Sequence, residues 1–310
     1  MDLRRVSRRQ HDVVSRAQAL EAGMTRSQIR CRLESERWQR IHPGIYATHN
    51  GPVTWPARAS AATLHAGTGA ALILGSAAYL WGLADREPAV ITVGVPLDRK
   101  PVRVVGTRIR RLRRLETAIV QRLTVTTRAQ TVIDLAGEPG CDIDEAVALA
   151  ARAAQRRHLS AVDLLAELRA RHRHPHGEVL ALALGDIDGG VESAAEFRFV
   201  RDVQRAHGLP ELLRQVGNRD GGRRDFESDE FKVVIEIDGR LWHAGERFHS
   251  DRRRDRRTAT EGKATLRGGW LDVAARPCEL ARDIALTLQQ RGWTGELRRC
   301  SPDCLIGRAA

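Results

Sequence analysis

The sequence predicts a mixed α/β protein built from several domains, and three observations carry that prediction. The chain has 310 residues, and at roughly 100–200 residues per domain two or three domains are expected. Hydrophobic residues make up 42%, enough for packed cores, which excludes disorder of the whole chain. Helical periodicities also alternate with short β-branched runs. Aromatic residues are only 4%, so the cores must rest on Leu, Val, Ile and Ala.

The first segment, residues 1–52, reads as helices followed by a hairpin. Residues 3–12 form a first helix. Ser15 caps a second that runs through Ala22, and Gly23 ends it by supplying the conformational freedom of a tight turn. Thr25 caps a third helix to about Glu34, with Ile29 and Leu33 at i, i+4. Strands Trp38–Ile41 and Ile45–Thr48 flank a Pro43-Gly44 turn. This is the layout of a winged helix-turn-helix. The third helix exposes Arg26, Gln28, Arg30 and Arg32, and Arg pairs with guanine and Gln with adenine in the major groove. Arg37, Arg40 and His42 fall on the wing, near phosphates or the minor groove. Double-stranded DNA is the partner this pattern implies. A solvated basic helix in a protein-interaction domain would look similar.

Residues 53–180 read as a second, α/β domain. Helical stretches at 56–67 and 75–83 precede strands at Ala89–Val95 and Val102–Arg110. Further helices follow at Thr127–Leu135, Asp142–Arg156 and Ser160–Arg171. The run RIRRLRRL at 108–115 is either an edge strand with its Arg in solvent or a strip that follows phosphates. HRHPHG at 172–177 reads as a linker, because Pro175 and Gly177 interrupt it and no Cys or carboxylate completes a tetrahedral metal set. The uncharged stretch Ala66–Ala84 is about one membrane span long. Small residues dominate it, so it reads as a buried helix pair, and no membrane association is expected. No apolar core follows the N-terminal Arg residues, as a secretory signal would require. Five Cys are too few, and odd, for a disulfide scaffold, so a reduced, cytoplasmic protein is expected.

Charge is distributed unevenly. The chain carries 51 Lys+Arg against 39 Asp+Glu, a net of +12. Residues 1–180 hold 28 basic against 17 acidic residues, net +11, and residues 181–310 hold 23 against 22, net +1. The basic part suits a polyanion. Arg supplies nearly all of that excess, which GC-rich coding alone also produces.

Residues 181–298 carry the chemistry of a third domain. A helix spans about Glu192–His207, with Ser193, Glu196, Phe199 and Val203 spaced for one side. Asp225 enters a short strand, and Lys232–Asp238 is a strand broken by Gly239. A hairpin brings Asp225 beside Glu236, and Glu236 and Asp238, at i, i+2, share a face. Converging carboxylates ask for a cation. Mg²⁺ suits oxygen ligands, with Glu196, Asp225 and Glu236 as its candidate ligands. Such an ion polarises a phosphodiester and activates water. Asp225, Glu236, Asp238 and His243 are the candidate catalytic residues, with His243 as general acid or base. The alternative is surface carboxylates paired with Arg223, Arg224 and Arg240.

Two stretches resemble known families. Asp225, then Glu236-Ile-Asp238, with Glu196 on a preceding helix, resembles the PD-(D/E)XK nuclease superfamily. Asp238-Gly-Arg-Leu-Trp-His243 resembles the Gly-x-x-Trp-His segment of very-short-patch mismatch repair endonucleases. More closely, SAAEFRF at 193–199, DFESDEFKVVIEIDG at 225–239, DRRRDRR at 251–257 and RPCELARDIALTLQQRGWTG at 276–295 resemble the small nuclease-like domain that often closes actinobacterial proteins. This resemblance implies a restriction-endonuclease-like α/β/α fold. The superfamily's usual Lys, two residues after the second carboxylate, is Asp238 here, and His243 matches the repair enzymes' His. The segment SRAQALEAGMTRSQIRCRLESERWQRIHPGIYA at 15–47 resembles the winged-helix domain of AbiEi-type antitoxins, and LTVTTRAQTVIDL at 123–135 resembles that family's second domain. That family binds promoter DNA, represses its own operon and has a nucleotidyltransferase toxin as partner.

The resemblances imply a DNA-binding regulator of antitoxin type with a nuclease-like third domain. The alternatives are an active Mg²⁺-dependent DNA endonuclease and a non-catalytic protein that neutralises a toxin by contact. In DRRRDRRTATEGK at 251–263, Asp255 is a candidate support for His243, and most of the Arg read as a charged helix surface. In the tail, residues 299–310, Cys300 and Cys304 supply half a zinc site or a disulfide. Cys278 is the only other late Cys, so the tail reads as passive.

Overall fold

The computed structural model describes residues 1–155, 159–189, 191–217, 223–238 and 258–307. The chain divides into two compact units, Met1–Glu138 and Pro139–Ala310.

The first unit opens with α1 (Leu3–Arg9), β1 (Val13–Ser15), α2 (Arg16–Glu21), α3 (Arg26–Glu34), β2 (Gln39–His42) and β3 (Ile45–Ala47). Reciprocal caps start two of the helices. Ser15 Oγ accepts the Gln18 N–H at 3.1 Å while Gln18 Oε1 accepts the Ser15 N–H at 2.9 Å. Thr25 and Gln28 repeat the device at 3.1 and 2.8 Å. Gly23 sits between the helices at φ +87°, which side-chain-bearing residues adopt at a cost. The strands form an antiparallel sheet in the order β1-β3-β2. Helices plus this small sheet make a winged-helix-like region. Strand β1 is absent from the sequence-based expectation because three residues are too few to show an alternation. Val14, Ala19, Ile29, Trp38 and Tyr46 form the core.

Helix α4 (Trp55–Ala66) is capped by Thr54 and has Pro56 in its first turn. It lays Ala57 and Ala61 on Val13 and Ile45 of the small sheet. Its Trp55, Ala59, Ala62 and Ala66 pack instead into a second core with Leu72, Val93, Val95 and Val125. The elements around that core are β4 (Ala71–Leu72), α5 (Leu74–Leu80), β5 (Ile91–Pro96), β6 (Thr107–Leu112), β7 (Thr117–Val120), β8 (Leu123–Thr126) and α6 (Arg128–Ala136). The sheet order is β6-β5-β4-β8-β7. The uncharged stretch 66–84, expected as a buried helix pair, instead supplies a strand and a helix of this core. Among the described residues no helix is long and apolar enough to cross a membrane. Strand β6 starts at Thr107, not at Val102, because Gly106 turns the chain at φ +76° and leaves Val102 and Val105 exposed. It is an edge strand, as one sequence reading had it, with Arg108 and Arg111 in solvent. Arg110 is held by Glu138 through two hydrogen bonds, one of 2.7 Å.

The second unit begins with α7 (Ile143–Gln155), α8 (Ala161–Arg169) and α9 (Gly177–Gly189), with α9 packed on both others. The sequence groups residues 142–171 with the middle segment, whereas the structure places them here. The His-rich stretch 172–177 joins α8 to α9 within this unit, and His176 Nε2 lies 2.9 Å from the Cys141 carbonyl. Helix α10 (Val191–Arg198) continues into a π-helical segment, Phe199–Arg205. There follow β9 (Leu213–Gly217), β10 (Arg223–Ser228), β11 (Val233–Asp238), β12 (Ala264–Gly269), α11 (Trp270–Ala274) and α12 (Pro277–Gln289). The sheet order is β12-β11-β10-β9, antiparallel except for the parallel β11–β12 pair. Phe199 packs on Phe226 with ring centroids 4.4 Å apart. Asp186 accepts from the Trp270 indole N–H at 2.9 Å and from Arg198 at 2.9 and 3.1 Å, tying α9, α10 and α11 together.

Candidate DNA interface and carboxylate site

Helix α3 buries Ile29 and half-buries Leu33, and its remaining side chains are exposed. At 100° per residue, Arg26 and Arg30 lie on one flank, Gln28 and Arg32 on the other, and Ser27 and Cys31 run between them. The four candidate DNA contacts therefore straddle the outward line of the helix. The Arg32 guanidinium lies 5.4 Å from the Trp38 ring centroid, a cation–π contact that steadies it. Gln28 spends its Oε1 on the Thr25 N–H. Pairing with adenine through both amide atoms needs that oxygen too, so base pairing by Gln28 competes with the cap. The pattern Thr25-x-x-Gln28 already carries this signal, since it has the spacing of a capping box.

Arg37 is exposed in the turn after α3, and Arg40 is exposed on β2. The β2 register shifts between Arg40 and His42. The half-buried His42 ring lies 5.5 Å from that of His65. Burial, and then the neighbouring His65, hold His42 below its ordinary value. The structure adds α1, whose Arg4, Arg5, Arg8 and Arg9 are all exposed. Their i, i+4 spacing was readable in the sequence.

The carboxylates of the second unit lie on neighbouring strands. The β10–β11 register pairs Phe226 with Ile235, and carried one step on it sets Asp225 opposite Glu236. Strand alternation places Asp238 on the face of Glu236. Asp225 Oδ2 accepts the Ile237 N–H at 2.8 Å. Glu236 lies 3.2 Å from Arg267 Nη2, its neighbour on β12. Glu196, on α10, reaches β9: Gln215 Nε2 donates to it at 3.0 Å and Arg214 lies 3.8 Å away. His243, Arg240 and Asp255 lie outside the described residues. The sequence expects Arg partners from Arg223, Arg224 and Arg240, and Arg224 does bind acids. Its partners are the buried Glu227 at 3.0 Å and Glu261 at 2.7 Å, with Lys263 also on Glu227. Nothing in the alternation of β10 singles out Glu227 as the charge that goes inside.

An Mg²⁺ site needs several oxygens turned to one point. The residue types suit that ion. Among the described residues, however, the set of three or more ligand atoms lying within 4.8 Å of one another is His207, Cys278, Cys300 and Cys304. The oxygens of Glu196, Asp225, Glu236 and Asp238 form no such set there. Burial raises the Cys304 thiol, but hydrogen bonds from the backbone at Cys300 and Ile306 and from the neighbouring thiols outweigh it and bring it to about 6. Burial pushes Cys278 up to about 11.

Comparison with known proteins bears on the first unit. Residues 1–49 match a family model described as transcriptional regulator, AbiEi antitoxin. The match covers α1 to β3, the helices and small sheet of the winged-helix-like region. No curated relative matches the chain.

Proposed function

We propose that this chain is a DNA-binding transcriptional regulator of antitoxin type that grips duplex DNA with α3 and the β2–β3 wing and represses the operon encoding it. The match over residues 1–49 carries this reading, because it falls on a capped helix bearing exposed Arg26, Arg30 and Arg32. Charge supports it. Residues 1–138 hold 22 basic against 11 acidic residues, net +11, and residues 139–310 hold 29 against 28, net +1. Phosphate contacts by Arg supply most of such affinity, and base-edge contacts supply the choice of site. A cognate toxin is the protein partner this class of regulator implies. The second unit, with its nuclease-like sequence and near-neutral charge, adds little to the grip on DNA.

The test is binding to a duplex covering the DNA upstream of the coding sequence, followed by fluorescence anisotropy across a salt series with Mg²⁺ present. Arg30→Ala and Arg32→Ala should each weaken binding and lower the salt slope by about one per lost phosphate contact. Wild-type affinity and slope in both variants would remove α3 from the interface. Cutting of the duplex by wild type but not by Asp225→Ala would instead make the protein an endonuclease, with Glu196, Asp225, Glu236, Asp238 and His243 as its active site.

A further inference from the structure

The tail after α12 presents a physical problem. Residues 291–307 contain no helix or strand, and Cys304 is their one buried residue. Leu305, beside it, is 48% exposed. Burial of apolar surface is too small there to offset the entropy of ordering so many residues. Yet the tail returns to the π-helical segment: the Arg298 N–H donates to the His207 carbonyl at 3.0 Å, and Arg298 also donates to the Arg205 carbonyl.

What sits at that return is a cluster of soft ligands. His207 follows the π-helical segment and is fully buried. Cys278 is the second residue of α12, and Cys300 and Cys304 come from the tail. Cys278 Sγ lies 3.6 Å from Cys300 Sγ and 3.6 Å from Cys304 Sγ, and Cys304 Sγ lies 3.7 Å from His207 Nε2. We propose that these four side chains form a closed, structural zinc site that clamps the C-terminal tail to the second unit.

Four features support the assignment. Zn–S bonds of about 2.3 Å and a Zn–N bond of about 2.0–2.1 Å in a tetrahedron set S···S edges of roughly 3.8 Å and S···N edges of roughly 3.6 Å. The observed separations match both. A disulfide requires about 2.05 Å, and three thiols converging on one point cannot all be paired in disulfides. All five Cys are free thiols. The imidazole is also oriented for a metal. His207 Nδ1 lies 3.1 Å from the Val203 carbonyl, which can only accept, so Nδ1 carries the proton and Nε2 turns its lone pair to the thiols. Finally, the backbone N–H of Ile306 donates to Cys304 Sγ at 3.4 Å, the kind of contact that stabilises a metal-bound thiolate. Three sulfurs and one imidazole select a thiophilic ion with tetrahedral preference. Four protein ligands leave no position for substrate or water, so the role is structural. Binding requires all three sulfurs as thiolates and leaves the His neutral.

The full-length chain, purified without chelator, should carry about one zinc per molecule by elemental analysis. Replacing that zinc with Co²⁺ should produce thiolate-to-metal charge-transfer absorption and the visible bands of a tetrahedral site. Cys278→Ser and Cys304→Ser should lose the metal, and Cys141→Ser should keep it. Buried positions can fail to fold, so Cys300→Ser, at an exposed position, is the deciding variant. Loss of an outer partner alone weakens such sites by ~10–100-fold, and loss of a ligand should cost at least as much. Chelation of wild type should also open trypsin cleavage after Arg298 and Arg299. A wild-type protein with no bound zinc and no Co²⁺ charge-transfer band would overturn the proposal. So would zinc retained at full affinity by Cys300→Ser, or a disulfide within the cluster in reduced preparations.

Discussion

At the scale of single residues, much of the proposed interface rests on one hydroxyl. Helix α3 has nine residues, Arg26–Glu34, and Ile29 is the buried one among them. A helix so short gains little from packing and bears the full cost of its first turn. The Thr25 side chain satisfies an N–H that would otherwise be orphaned. Thr25→Ala should therefore destabilise the first unit by about 1 kcal/mol, within the ~0.5–2 kcal/mol range of lost caps, and Thr25→Ser should restore it. Urea unfolding measures this as a lower midpoint at unchanged slope; an Ala variant equal to wild type would show that the cap contributes nothing. Residue-level expectations are most accurate where a side chain acts on its own backbone neighbours, as Ser15 and Thr25 do. They are least complete where distant segments meet. His207 and Cys278 are 71 positions apart, and Cys278 and Cys300 are 22 apart, so no local spacing announces their convergence with Cys304. Asp225 and Glu236 fall between these cases, because a short hairpin sets their register.

At the scale of elements, the wing carries a proton-sensitive joint. His42, on β2, faces His65, on α4, and its folded value lies below the ordinary 6.5 because of burial first and of His65 second. A His with a lowered folded value binds its proton less readily when folded than when unfolded. Between the folded value and 6.5 the unfolded chain holds more protons, so stability rises with pH in that window. The first unit should therefore lose stability as the pH falls below about 6.5, and His42→Gln should flatten that dependence. Thermal melts from pH 7.5 to 5 report the effect; an unaltered profile in the variant would place the coupling elsewhere. Other elements show which signals a sequence withholds. Strands β7 and β8 were missed because Gln121 and Arg122 make their turn at φ +48° and +65° without glycine, which removes the usual hairpin mark. Strands β9 and β12 were missed as well, since β9 is largely exposed and β12 ends in Gly268-Gly269. Helices α2, α3, α4 and α6 were found because cap residues and small apolar stripes mark their starts and faces.

At the scale of the whole molecule, the limits of the family match and the limits of the folding unit differ. The match ends at residue 49, while the small sheet continues its core into α4. Val13 and Ile45 are buried by Ala57 and Ala61, and Ile41, Val53 and Leu64 pack around them. A fragment of residues 1–49 would expose that apolar face to water, and such a short chain has little other core to stabilise it. The same helix α4 belongs to the core of the five-stranded sheet through Trp55, Ala59, Ala62 and Ala66. Cutting within residues 50–137 therefore opens one core or the other, and the first break that spares both falls after Glu138. Residues 1–138 should fold as a unit, melt cooperatively and keep the DNA affinity and salt slope of the full chain, since they hold nearly all of its net charge. Residues 1–49 should be largely unfolded by circular dichroism and bind DNA far more weakly. If instead the short fragment folds and binds as well as the long one, α4 is dispensable to the wing. If the long fragment folds but loses most of its affinity, the second unit supplies DNA contacts that its near-neutral charge conceals.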